Sequence, residues 1–153
     1  MKDEVMRSHI RSAVASTVLS LVAVVAADRS VASEQVLQCP EQVPPGSIRL
    51  ADNADGWMAF VPEPLRLTAA GFMQGPPSTR ADLKPSATKR TSAGSVVKWA
   101  FEGAYPEGKW LSCEYAQGVV ALARRIDDSA AECSVEYQKT KHGELAVQRI
   151  VCR

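Results

Sequence analysis

Between Trp99 and Cys152, short runs of alternating apolar and polar residues are separated by turn formers, and three of the four cysteines fall inside that stretch. A period of two puts successive side chains on opposite faces, so each run reads as a half-buried strand. Val96–Phe101 is rich in β-branched and aromatic residues, and Gly103 to Gly108, with Pro106 inside it, supplies a turn. Trp110–Tyr115 follows, with Leu111, Cys113 and Tyr115 predicted on one face and Trp110, Ser112 and Glu114 on the other. After Gln117-Gly118 comes Val119–Ile126. Its Ala, Leu and Arg content also suits two helical turns, but the glycine turn before it favours a strand. Asp127-Asp128-Ser129 then turns the chain into Glu132–Lys139, and His142-Gly143 turns it into Leu145–Arg153. The expectation is an antiparallel meander.

The last hairpin fixes a pairing. If its turn is centred between His142 and Gly143, counting outwards along both arms brings Cys133 directly opposite Cys152. Facing residues of antiparallel strands have Cα atoms roughly 4.5–5.5 Å apart, inside the range a disulfide spans. A four-residue loop from Lys141 to Glu144 puts the pair in the closer, non-hydrogen-bonded class. In a meander Cys113 is two strands from Cys133, roughly 9–10 Å away and too far to bond. Cys39–Cys113 is therefore the companion bond, tying the N-terminal segment to the sheet. Four cysteines forming two bonds suit an oxidising compartment.

The N-terminus agrees. Ala13 to Ala27 is an uncharged, mostly apolar run, preceded by Arg7 and Arg11 and followed by Ser30-Val31-Ala32, a small-x-small cleavage signal; Val25-Ala26-Ala27 is the second choice. An ordinary membrane-spanning helix needs about 20 apolar residues, so the run reads as a signal helix. Asp3-Glu4 is unusual ahead of such a run, and initiation at Met6 would give the more ordinary Met-Arg-Ser-His-Ile-Arg. Residues 1–32 are thus expected to be a signal peptide and residues 33–153 one disulfide-bonded β domain, periplasmic or secreted. Contact with the membrane would come only through an uncleaved signal segment. Losing residues 1–32 removes four basic and three acidic side chains from a chain of net charge +1, leaving it near neutral. Nothing here attracts nucleic acid or an acidic membrane.

Ahead of the meander, Cys39-Pro40 opens the domain and Pro44-Pro45-Gly46 turns it, with a short strand expected over Ser47 to Leu50. Asp52 to Gly56 is dense in turn formers but lacks the spaced ligands and terminal Glu of an EF-hand. Trp57–Val61 is predicted as a strand stopped by Pro62 and Pro64. Leu65–Ala69 is predicted as another, continuing towards Met73 and ended by Gly75-Pro76-Pro77. Ser78 to Ser95 reads as a long polar surface loop.

The order Cys39-Pro40, Gly56-Trp57, Gly75-Pro76-Pro77, Trp99, Trp110-Leu111-Ser112-Cys113-Glu114-Tyr115, Cys133-x-Val135-x-Tyr137 and Ile150-Val151-Cys152 resembles a family of small exported bacterial proteins without an assigned role. The resemblance implies an envelope protein and carries no catalytic residues across.

The residues themselves assemble no active site. The mature chain has one histidine, His142, at a predicted hairpin tip, and its four cysteines are spent in disulfides. No Cys-x-x-Cys spacing suggests zinc or redox chemistry, no metal or cofactor is implied, and Gly71 to Gly75 lacks the Lys of a phosphate loop. Asp127-Asp128 is the most conspicuous carboxylate pair, yet adjacent turn residues do not face each other across a cleft as glycosidase carboxylates do. Trp57, Trp99 and Trp110 are first of all core candidates for a small β domain. Trp110, opposite the apolar face of its strand, and Trp57 are the candidates for an interaction surface. The function expected is a non-catalytic binding module, inhibitor- or immunity-like, directed at an exported protein or enzyme. The competing reading is a carbohydrate-active hydrolase using carboxylates near an exposed tryptophan. The fold expected is all-β: a small antiparallel meander, sandwich or partly open barrel held by two disulfides.

Overall fold

The computed structural model describes residues 34–49 and 54–153; the segment expected to be a signal peptide and Asp52-Asn53 of the turn-rich stretch lie outside the described residues. Among the described residues nine strands form: β1 (Gln35–Leu37), β2 (Gln42–Val43), β3 (Leu65–Gln74), β4 (Ala87–Arg90), β5 (Gly94–Ala100), β6 (Lys109–Tyr115), β7 (Val120–Arg125), β8 (Glu132–Lys139) and β9 (Leu145–Cys152). All pairings are antiparallel. They build one sheet in the order β1-β9-β8-β5-β4 and a second in the order β2-β3-β6-β7.

The two sheets share one core. Trp99, Cys133, Val135, Ile150 and Cys152 of the first sheet join Phe72, Leu111, Cys113 and Tyr115 of the second in a single buried cluster. Phe72 meets Trp99 edge-on with ring centroids 5.1 Å apart and Phe101 at 5.6 Å. Such pairs add to the area term, and each fully buried side chain of this size contributes about 1.5–3 kcal/mol. Two hydroxyls also cross the interior. Tyr137 Oη donates to the Ala70 carbonyl at 2.9 Å and accepts from the Ala70 amide at 3.2 Å. Tyr115 Oη donates to the Pro40 carbonyl at 2.8 Å. Burial pushes the ionisation of both phenols up.

The all-β class and both disulfides agree with the sequence reading: Cys133–Cys152 has its Cα atoms 4.1 Å apart and Cys39–Cys113 5.8 Å apart. The closer spacing belongs to the non-hydrogen-bonded class of facing residues. The face assignment of β6 holds too, with Leu111, Cys113 and Tyr115 buried in the core.

The meander does not hold. β5 pairs with β8, whereas β6 pairs with β3 and β7, so the stretch from Trp99 to Cys152 is divided between the sheets. The Phe101 to Gly108 connection carries the chain across. Cys113 and Cys133 belong to opposite sheets, so no intervening strand of one meander separates them.

Three further expectations change. Trp57–Val61 forms no strand. A run of five apolar residues has no polar face to leave in water, and Pro62 and Pro64 break the ladder that would follow. The stretch from Ser47 is a 3-10 turn, Pro45–Ser47, followed by irregular chain through Arg49; Leu50 lies outside the described residues. The Ser78 to Ser95 loop contains a strand, β4, with all four residues exposed. It is an edge strand without an apolar face, so no periodicity announces it.

Candidate interaction surface

The catalytic candidates are absorbed by structure. Asp127 accepts from both the amide and the hydroxyl of Ser129 at 2.8 Å, forming a side-chain-closed turn. Those two donors hold its carboxyl below the usual carboxylate range. Asp128 pairs with Arg125 at 2.6 Å. The two carboxylates thus serve a turn and an ion pair, and only Asp127 of the two lines a cavity, one of about 230 Å³. His142 lies exposed in the β8–β9 loop, its amide donating to Thr140 Oγ1 at 3.2 Å. All four cysteines are bonded. Among the described residues no group of three or more His, Cys, Asp or Glu side chains is placed to hold a metal ion.

Nothing in the residue pattern singles out Lys109. Its side chain enters the interior, where Nζ donates to the carbonyls of Asp128 at 2.8 Å and Ala130 at 2.6 Å. The ammonium also sits 5.1 Å from the Phe101 ring centre and 5.2 Å from that of Tyr105. Two carbonyls and two ring faces suit a desolvated cation. A lysine at the start of a strand looks like a solvated one, and only the tertiary structure supplies the carbonyls. Its role is to pin the β7–β8 turn to the sandwich.

The three tryptophans separate. Trp99 is buried, with its indole N–H donating to the Leu83 carbonyl at 2.9 Å. Trp110 lies half-buried on the outer face of β6, opposite Met73 of β3 and Arg125 of β7, its indole N–H donating to the Glu107 carbonyl at 3.1 Å. Trp57 is 78% exposed. Met58 and Phe60 beside it are 87% and 80% exposed. The ring pairs of the core, which join Phe72, Trp99, Phe101 and Tyr105, include neither Trp57 nor Trp110. Among the described residues no ring pair joins the two candidates.

Apolar exposure recurs at β7. Val119, at its entry, is 81% exposed and Leu122 is 41% exposed. The turn into it places Ala116 at φ 49° and Gln117 at φ 58°, a left-handed pair built from residues that pay for that conformation, before Gly118 at φ 87°. The Gly118 amide closes that turn on the Tyr115 carbonyl at 3.1 Å. Val120 and Leu122 also line a groove of about 420 Å³ whose other wall comes from Pro40, Pro44 and Ile48.

The recognisable features are therefore exposed apolar side chains on a rigid, doubly cross-linked sandwich. That is the equipment of a binding protein. A family model described as "Type VI secretion system Tli immunity protein" matches residues 62–153, well over half of the chain. No curated protein and no solved structure matches it significantly. The inhibitor- or immunity-like reading of the sequence agrees with that description, and two disulfides fit the exported setting. The chain belongs to the Tli immunity protein family of the type VI secretion system.

Proposed function

We propose that this chain is an immunity protein of the bacterial envelope that binds an exported type VI effector protein and blocks it by contact, without catalysis. The observation that carries the reading is the exposed run Trp57, Met58 and Phe60 on a disulfide-fixed domain of a family described as immunity proteins. Leaving three large apolar side chains in water is costly, and a partner surface that covers them recovers the loss. Trp57 with its neighbours is the proposed anchor, and Trp110 a second contact on the outer face of the β2-β3-β6-β7 sheet. The exposed run lies just ahead of the residues that the family model matches, which suits a contact that differs from one immunity protein to the next.

The disulfides need an oxidising compartment, so action in the periplasm after removal of residues 1–32 completes the proposal. The test is protection. Cells exporting a type VI effector from the same bacterium should survive when they also export the chain that neutralises it, and should die when they export its Trp57→Ala/Phe60→Ala variant. Killing in the presence of the exported wild-type chain would overturn the reading.

A further inference from the structure

The β2-β3-β6-β7 sheet has two edges, and they are treated differently. The β3 edge is closed along its length. β2 pairs with Leu65 and Arg66, the Tyr137 hydroxyl takes both backbone groups of Ala70, and the Leu83 amide donates to the Phe72 carbonyl at 2.8 Å. The Gln74 amide completes the closure on the Ala81 carbonyl at 2.9 Å.

At the opposite edge, β7 pairs only with β6 among the described residues. The Ile126 amide donates to the Lys109 carbonyl at 2.9 Å, and alternation along an antiparallel ladder then turns Arg124, Leu122 and Val120 towards β6. The backbone groups of Ala121, Ala123 and Arg125 point outwards. Among the described residues nothing bonds to the backbone of Ala121 or Ala123. An open edge of this kind is a template for a further strand.

Side-chain chemistry selects the occupant. Val120 and Leu122 line the groove and Arg124 follows on the same strand face, two apolar residues and then a cation. Arg125 is held by Asp128, whereas Arg124 makes no hydrogen bond or ion pair among the described residues. Residues 119–125 contain two arginines and no carboxylate, so β7 of a second copy would bring four arginines together. We infer that β7 is a docking edge for an extended segment of the effector, which adds to the sheet as an antiparallel strand. That segment carries a carboxylate opposite Arg124 and apolar side chains two and four residues further on, opposite Leu122 and Val120. The inference rests on the immunity reading and deepens it by naming the edge and the partner's pattern.

Calorimetric titration of the exported chain with that effector, purified, tests it. Ala123→Pro removes an outward amide while leaving the β6 ladder intact, and Arg124→Glu reverses the selecting charge. Each should weaken binding about tenfold or more while both disulfides and the far-ultraviolet spectrum stay unchanged. The Ala121 and Ala123 amides should exchange more slowly in the complex. Wild-type affinity in Arg124→Glu together with unchanged exchange at those amides would overturn the docking edge, even if Ala123→Pro failed to fold. Concentration-dependent self-association through β7 would overturn it in favour of a second copy. A wild-type chain that binds no effector would sink the immunity reading and the edge with it. Binding lost in Trp57→Ala but kept in both β7 variants would sink the edge alone.

Discussion

Trp99 and Trp57 head two apolar stretches of similar composition that meet opposite fates. Trp99 lies on β5 with alternation on both sides of it, so its ring turns inwards to Phe72 and its N–H finds the Leu83 carbonyl. Trp57 begins a run without alternation and followed by two prolines, so it joins no sheet and stays exposed. The difference shows that burial follows a face, not a hydrophobic count. A strand buries one side because it can leave the other in water. The stretch that cannot do so remains outside, where the proposed function gives it a partner to contact. The comparison therefore predicts a separation: changes at Trp99 act on stability, and changes at Trp57 act on binding.

The largest effect tests the first half. Trp99→Ala should remove about 3–5 kcal/mol of stability, since it opens a cavity against Phe72 and leaves the Leu83 carbonyl without its donor. Denaturant melts with both disulfides intact would measure it. Where the variant stays folded, its affinity for the effector should be unchanged. A stability loss below about 1 kcal/mol would mean that the ring is not part of the shared core.

The same principle explains what was legible in the sequence. Strands with one apolar and one polar face, β3, β6, β8 and β9, could be read with boundaries close to those observed. β4 could not, because Ala-Thr-Lys-Arg on an edge has no buried face to give it a pattern. Strand neighbours were harder still. Period-two alternation says that a residue faces a core, not which sheet supplies that core, so the division of β5 to β9 between sheets was hidden.

The Cys133–Cys152 register was recovered for a partly different reason than expected. The turn is centred on His142 itself, with the Thr140 amide donating to the Glu144 carbonyl and Lys139 facing Leu145. A bulge at Gln148 then shifts the ladder by one residue, so that Glu136 faces Arg149 and the cysteines meet. The site was legible only as residue types. Trp57 could be named because tryptophan is a common anchor, whereas Lys109 and the open β7 edge became visible only through long-range packing.

A smaller effect tests how the two halves are joined. Tyr137→Phe keeps the ring on the β1-β9-β8-β5-β4 sheet but leaves the Ala70 amide and carbonyl of the other sheet without partners. It should cost about 1–2 kcal/mol. Its pH signature is specific. Because burial raises the phenol's ionisation in the folded state, the unfolded chain loses the proton first as pH rises past about 10. Stability from this group is complete below that pH and falls above it, until the folded phenol also ionises. Tyr115 behaves alike for the same reason. Tyr137→Phe should flatten part of the decline in melting temperature between about pH 9 and 11. An unchanged alkaline slope would mean that the hydroxyl does not bridge the sheets in solution.

The smallest stability effect carries the functional weight. Trp57→Ala and Phe60→Ala each remove a side chain with most of its surface already in water, so unfolding should shift by no more than about 0.5 kcal/mol. Binding should change far more, because an exposed aromatic releases its apolar area only when a partner covers it, and anchor truncations at interfaces cost about 2 kcal/mol or more. Titrating each variant with the effector, beside its denaturant melt, sets the two numbers side by side. A loss of stability as large as the loss of binding would place Trp57 with Trp99 in the fold and dissolve the distinction between them. A loss of binding alone would show that this exposed run is kept for the partner.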